Sequence, residues 1–185
     1  CGENKKSTDT AEGSQDAGPI PVEEEEVETP SNGEDLTLDL VFPTARVIDV
    51  QITVAEADWE TIRNQTRNLF EALSEKRKEA PIAGPYTYVE ASVTIDGHRF
   101  PQVGLRKKGF IGSQSTTRPS LKIKLNHLDK EAGIEGLTNL TFNNNKQDST
   151  LVNQYMGYAF FNAAGAPAPR CAFAKVSVNG VNLGV

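Results

Sequence analysis

The chain has 185 residues, 37% of them hydrophobic, which is enough for one domain of ordinary size. Its formal net charge of −6 argues against a general nucleic-acid-binding protein, and we expect no nucleic-acid partner. No run of about eighteen apolar residues occurs, so the sequence predicts no transmembrane helix.

The acidic charge is concentrated at the start of the chain. Residues 2–38 hold 11 acidic and 2 basic side chains, net −9, whereas residues 39–185 hold 14 acidic and 17 basic ones, net +3. The first segment includes four consecutive acids at 23–26 and has too little apolar surface to offset its ordering entropy. We therefore predict a disordered acidic tether over 1–38, with a calcium or partner site in it as the alternative, and a basic domain over 39–185.

The two cysteines differ in context. Cys1 is followed at once by Gly2 and a polar segment, which resembles the mature N-terminus of a bacterial lipoprotein. The resemblance implies that Cys1 is lipidated and anchors the chain in the membrane of the bacterial cell envelope, on its extracytoplasmic side. Several acyl chains, at about 0.8 kcal/mol per buried methylene, would hold it there. An arbitrary chain boundary is the alternative. Cys171 lies in an apolar stretch and is predicted to be a small buried hydrophobe.

The first elements of the domain follow from hydrophobic periodicity. Residues 47–54 alternate and are rich in β-branched side chains, which predicts a strand. From Ala55 to Pro81 we predict a helix, because apolar side chains recur at roughly helical spacing: Trp59, Ile62, Leu69, Phe70 and Leu73. Trp59 is expected in the core.

Next comes a predicted hairpin. Two alternating runs, 86–95 and 98–106, flank Asp96-Gly97, and such a pair favours a tight turn in which both residues have positive φ. Residues 120–125 predict a further strand, and 137–143 are a candidate for another.

The last elements are a helix and a second hairpin. Asp148 is a possible helix cap, and the helix is expected to end at Gly165. A strand over 173–178 then reaches the turn Asn179-Gly180, and its return strand has barely begun at Val185, so we expect the natural polypeptide to continue. The predicted class is α+β, with a mostly antiparallel sheet and two main helices.

The clearest chemical signal is a window without acids between Asp96 and Asp129. It holds seven basic residues: Arg99, Arg106, Lys107, Lys108, Arg118, Lys122 and Lys124. Within it, residues 109–117 form a loop rich in Gly, Ser and Thr. Glycines allow backbone amides to approach an anion, and strand-borne cations supply charge from fixed positions. The window therefore indicates polyphosphate binding.

Strand periodicity sorts these cations by face. Lys122 and Lys124 share one face of their strand, and Arg106 and Lys108 share one face of theirs. A solvated outer face of a half-buried sheet would show the same alternation, and this alternative stays open. The sequence contains no Walker motif, Gly-x-Gly-x-x-Gly kinase loop or dinucleotide fingerprint. His98 and His127 lie beside turns and are poor candidates for a metal site or catalytic triad.

Several ordered blocks resemble the CotH kinase family, named for spore coat protein H. The likeness extends from about residue 46 to the end. Its blocks are Gly-Leu-Arg-Lys-Lys-Gly (104–109), Arg-Pro-Ser-Leu-Lys-Ile-Lys-Leu (118–125), Gly-Leu-Thr-Asn-Leu-Thr-Phe-Asn-Asn-Asn-Lys-Gln-Asp (136–148), Gly-Ala-Pro-Ala-Pro-Arg (165–170) and Val-Asn-Gly with Leu-Gly-Val (178–180 and 183–185).

The resemblance implies a surface-associated, atypical kinase that uses ATP with Mg or Mn to phosphorylate Ser or Thr in a protein substrate that the sequence does not identify. It also implies the N-terminal part of an atypical protein-kinase-like fold. Lys122 or Lys124 would contact the nucleotide phosphates, supported by Arg106 and Lys108. Which of the two lysines does so is left open.

In that family the catalytic Asp, its Asn and the metal-binding Asp residues follow the Asn-Gly hairpin, so we expect no catalytic residue within these 185 residues and an inactive fragment. The alternative is a cell-surface binding or adhesion lipoprotein without catalysis, acting through an exposed loop at 77–86 or 109–117.

Overall fold

A computed structural model describes residues 36–80, 84–110 and 112–185. Cys1 and the predicted tether, apart from residues 36–38, lie outside the described residues. In the described ranges, no helix has both the length and the apolar character needed to cross a membrane.

The described residues form seven strands, four α-helices and one short 3-10 helix. In chain order they are α1 (Leu38–Val41), β1 (Ile48–Val54), α2 (Glu56–Asn64), α3 (Leu69–Ala72), the 3-10 helix (Glu75–Lys78), β2 (Val89–Ile95), β3 (His98–Lys108), β4 (Ser120–Lys124), β5 (Asn139–Phe142), α4 (Asn153–Ala163), β6 (Ala174–Val178) and β7 (Val181–Gly184).

All seven strands belong to one sheet, in the order β5-β4-β3-β2-β1-β6-β7. Five neighbouring pairs are antiparallel, and β1 and β6 are parallel, with Val50 opposite Val176. The α+β prediction is therefore confirmed, and the sheet itself is mixed. The parallel pair arises because β6 returns beside the first strand after the long connection that contains α4.

The two predicted tight turns are both present. Asp96 and Gly97 have φ of 46° and 87°, and Asn179 and Gly180 have φ of 48° and 79°. Positive φ at both central positions matches the right-handed twist of the flanking strands, which is why Asn-Gly and Asp-Gly pairs favour such hairpins.

One face of the sheet carries the hydrophobic core. Side chains alternate inward along each strand, and α2 covers them with Trp59 and Ile62, while α1 contributes Val41. Trp59 is 8% exposed, as predicted for a core residue. The fully buried members of this core on the strands include Val50, Val93, Ile95, Val103, Leu105 and Ile123.

The helix predicted from Ala55 to Pro81 is wrong in its second half, because α2 ends at Asn64. Gln65 is extended, and its side chain bonds the backbone N–H (3.1 Å) and the hydroxyl (2.7 Å) of Thr87. This contact with Thr87, which lies just before β2, takes the place of a further turn of helix. Phe70, expected on the buried face, is 87% exposed.

The predicted helix after Asp148 begins five residues later, at Asn153. Asp148 still organises its start, because its Oδ2 accepts a hydrogen bond from the backbone N–H of Asn153 at 2.8 Å. Hydrogen bonds from Thr150 and neighbouring backbone amides lower the pKa of the Asp148 carboxyl. A carboxylate at this end of a helix also interacts favourably with the helix dipole.

Asn179 joins the last hairpin to the start of α2. Its side chain accepts from the Val54 N–H (3.0 Å) and donates to the Val54 carbonyl (2.9 Å) and to Glu56 (3.0 Å).

We predict that Asn179→Gly, which keeps the positive φ accessible, lowers the free energy of unfolding by about 1–3 kcal/mol in urea denaturation. Asn179→Ala should cost more, because it also strains the turn. Equal stability of the glycine variant and the wild type would contradict this role.

Candidate functional site

Four cations lie together on the outer face of β3 and β4. Arg106 is directly opposite Lys122, Lys108 is opposite Ser120, and Lys124 is opposite Gly104. The residues between them, such as Leu105 and Ile123, point to the core. We call the four side chains Arg106, Lys108, Lys122 and Lys124 the basic face. The structure therefore brings together all four residues predicted from the sequence.

Within the part of the chain that the structure describes, no acid balances the charges of the basic face. All four side chains are partly buried, and none forms an ion pair with a carboxylate among the described residues. Burial lowers the pKa of Lys108, and the nearby charges of Lys122 and Arg106 lower it further. The charges of Lys122 and Arg106 thus lie close enough to Lys108 to disfavour its charged form.

Amide and hydroxyl groups border the basic face along β5. Asn139 is opposite Lys124 and Thr141 is opposite Lys122. Asn143 accepts a hydrogen bond from the Lys108 ammonium and donates one to Gln154 of α4 at 2.6 Å. Neutral groups that can donate hydrogen bonds to a ligand, or accept them from it, therefore flank the cations.

Aromatic side chains lie on the opposite side of the basic face from β5. The Arg106 guanidinium is 5.1 Å from the centre of the Tyr88 ring, which stacks on His127 at 5.3 Å. A Cβ at position 104 would lie 2.6 Å from the His127 ring, so only Gly104 allows this approach. His127 was predicted to have only a surface or turn role, and the structure places it beside the basic face.

Hydrogen bonds on two sides hold the loop between β3 and β4 in position. The buried Asn144 side chain donates to the carbonyls of Ser113 (3.0 Å) and Arg118 (2.8 Å). Gln114 exchanges hydrogen bonds with the backbone of Arg67, at 2.5 and 3.0 Å. These contacts give the described part of the glycine- and hydroxyl-rich loop a defined position at one end of the basic face.

The same loop has a tyrosine contact at its first residue. The Tyr86 hydroxyl donates to the Gly109 carbonyl at 2.7 Å, and Gly109 has φ of 138°. Burial raises the pKa of Tyr86, partly offset by Arg67, so the hydroxyl keeps the proton that it donates. The loop conformation therefore depends on a glycine and on a neutral tyrosine.

Lys107 belongs to the opposite face, although its neighbours in sequence are part of the basic face. Its side chain is fully buried, and its ammonium donates to the Arg63 carbonyl near the end of α2 at 2.7 Å. Burial lowers the pKa of Lys107. A cation at a helix C-terminus is favoured by the helix dipole. Strand alternation indicated an inward position, but the residue type argued against burial.

A cavity of about 800 Å³ lies on the core side of the sheet, between the β5 and β7 edges. Its walls are largely apolar, and of the basic face only Lys108 reaches it. Arg118 and Arg170 lie on its wall, but Arg118 donates to the Val185 carbonyl and Arg170 pairs with Asp39 at 2.7 Å. Cys171 also lines it, and burial raises the pKa of its thiol. The cavity and the basic face thus meet at Lys108 and at the bordering residues Asn139, Thr141 and Asn143, all of which line the cavity.

Within the described ranges, no group of three or more His, Cys, Asp or Glu side chains could hold a metal ion. The chemistry available at the basic face is therefore charge attraction and hydrogen bonding to an anion, from cations that are held by the register of two strands.

The fold and this face define an α+β protein with a cationic sheet surface that has no carboxylate partner among the described residues. The family model described as "CotH kinase protein" matches residues 105–185, which include the whole basic face and everything from the end of β3 to β7. The match supports the assignment of this segment to the CotH kinase family, and a kinase-like function is indicated at the level of the family. Residues 46–104, to which we had extended the resemblance, lie outside the match. No curated protein matches the chain.

Lys107 makes the stability of the fold depend on pH. Its pKa is lower in the folded than in the unfolded chain, so between the two values the unfolded chain binds more protons and stability rises with pH. We predict that the wild type gains unfolding free energy relative to Lys107→Met as the pH rises from 7 to about 10.4, which is the ordinary pKa of lysine. Urea denaturation at a series of pH values measures it, and a constant difference would contradict a buried ammonium.

Asn144 is predicted to hold the loop. Asn144→Ala leaves the carbonyls of Ser113 and Arg118 without its two donors, and should cost about 1–3 kcal/mol of stability. Hydrogen exchange should become faster at residues 112–118 and stay unchanged in β1. Asn182→Ala, in an exposed position on β7, is the matched control. Unchanged exchange in the loop of Asn144→Ala would exclude this anchoring role.

Proposed function

We propose that the basic face binds the phosphates of ATP in its complex with Mg or Mn. In this proposal the basic face is the phosphate-binding part of a CotH-type kinase that phosphorylates Ser or Thr in proteins. The observation that carries the proposal is the convergence of Arg106, Lys108, Lys122 and Lys124 on one face without a carboxylate partner among the described residues.

Charge alone favours an anionic ligand here. Burial lowers the pKa of Lys108, and the neighbouring charges of Lys122 and Arg106 lower it further. A phosphate group among the cations would reverse this effect, because an opposite charge within a few ångströms favours the charged form. A polyphosphate supplies several negative charges at a spacing that can reach more than one of these side chains.

Lys122 is the better candidate for the central phosphate contact. It lies between Arg106 on β3 and Thr141 on β5, and its charge acts on Lys108. Lys124 lies two residues further along β4 from the loop and is opposite Gly104. We therefore assign Lys122 to the phosphates and Lys124 to the border of the site.

The loop after β3 supports the same interpretation. It follows Lys108 directly and contains Gly109 and Gly112, with φ of 138° and 73°. Conformations of this kind are open to glycine and let backbone N–H groups approach an anion closely. Because Asn144 already fixes the loop, little ordering entropy would be lost on binding.

Phosphoryl transfer also needs metal-held phosphates and an oriented hydroxyl. The basic face is proposed to supply electrostatic binding and orientation of the nucleotide. Metal ligands and a catalytic base are not assigned to any described residue.

The proposal is tested by thermal unfolding of the chain with and without Mg-ATP. At ATP near 100 times its dissociation constant, binding adds about 2.7 kcal/mol to stability, which is a shift of several degrees. We expect this shift for the wild type and its loss in Lys122→Ala/Lys124→Ala. The matched control is Lys78→Ala/Lys175→Ala, which removes two exposed lysines that pair with acids elsewhere. No shift in the wild type at millimolar ATP, or equal shifts in both double variants, would refute phosphate binding at the basic face.

A further inference from the structure

We infer that the basic face has a competing occupant within the same chain, the acidic run Glu23–Glu26. This inference rests on the proposed phosphate binding and adds its regulation: the glutamates would hold the cations when no polyphosphate is bound.

The charges of the two partners are complementary. The run at 23–26 is followed by Glu28, and no lysine, arginine or histidine occurs between residues 7 and 45 to neutralise it nearby. The basic face has four cations and no carboxylate partner among the described residues. Glutamate carboxylates present the same kind of oxygen acceptors to lysine and arginine as phosphate does, with less charge per group.

The chain enters the domain on the core side, near the β5 edge of the sheet, and the acidic run would reach the cations by passing around that edge. Leu36 is buried, and the Leu38 backbone N–H donates to Glu135 at 2.8 Å. Glu135 shortly precedes β5, whose first residue, Asn139, is opposite Lys124. The described chain thus starts beside the sheet edge that borders the basic face.

The length of the intervening chain is sufficient. Glu26 lies ten positions before Leu36, a stretch that spans at most about 36 Å when extended. The distance from β5 across β4 to β3 is only about 10 Å, two strand spacings. A short connection gives a tethered segment an effective concentration near the millimolar range, so even a weak contact competes with a free ligand.

Zero-length carbodiimide cross-linking tests the contact directly, on the full 185-residue chain without nucleotide. Peptide mapping should find the run at 23–26 joined to Lys122 or Lys124 and not to the control residue Lys175. The cross-link should be lost in about 1 M salt, where screening shortens to about 3 Å, and on addition of tripolyphosphate. Absence of this cross-link would overturn the inference. In a mixture of ¹⁴N- and ¹⁵N-labelled chains, cross-links between unlike copies would also overturn it, since the occupant would then be a second molecule.

Binding of tripolyphosphate, followed by calorimetry at low salt, provides the second readout. Glu23→Gln/Glu24→Gln/Glu25→Gln/Glu26→Gln should bind it roughly 3- to 10-fold more tightly than the wild type. The control variant Glu3→Gln/Asp9→Asn/Glu12→Gln/Asp16→Asn removes the same number of charges further from the domain and should change the affinity by less than about 2-fold.

The two proposals fail in different ways. Equal tightening in both variants would show a general effect of net charge and overturn the inference, while leaving phosphate binding in place. If neither the wild type nor the variants bind tripolyphosphate, the proposed function fails. The cross-link then still decides whether the acidic run occupies the basic face.

Discussion

The pairing register of β3 and β4 is the constraint on which the rest of the structure depends. Leu105 opposite Ile123 places apolar side chains in the core, and the same register places Arg106 opposite Lys122 on the outer face. A slip of one residue would turn the cations into the core and the apolar residues into solvent. The hydrophobic effect on one face therefore fixes the charge geometry on the other. The basic face can be held together against its own repulsion because the core supplies the free energy.

Much of this could be predicted from the sequence, because it is encoded over a few neighbouring residues. Alternation identified β1 to β4 and the shared face of the cations, and Asp-Gly and Asn-Gly identified the turns. What failed depends on distant contacts. The end of α2 is set by Gln65 bonding Thr87, and β6 alternates in the same way whether its partner is parallel or antiparallel. Hydrophobic spacing alone carries no information on either point.

At the candidate site, too, the features encoded by neighbouring residues could be predicted, and those that depend on distant contacts could not. The four cations of the basic face were found by periodicity and by the absence of acids nearby in sequence. The anchoring role of Asn144 was missed, because its two carbonyl partners lie about 30 residues away. Lys107 was counted among the seven bases of the window without acids, although its position in the strand alternation places its side chain inward. Its burial depends on a carbonyl at the end of α2, which becomes a partner only in the folded chain.

The position of β1 has a consequence for how the chain folds. This strand comes first in sequence but lies inside the sheet, and one of its edges pairs only with β6, whose hairpin contacts Val54 from about 125 residues away. During synthesis that edge stays without its partner until β6, Ala174–Val178, has emerged. Contacts of such long sequence separation slow folding, and an unpaired strand edge can pair with other chains in the meantime. The order of strands in the sheet thus makes the pairing of β1 with β6 a late event in the synthesis of this segment, and gives the β6–β7 hairpin a part in protecting β1 from aggregation.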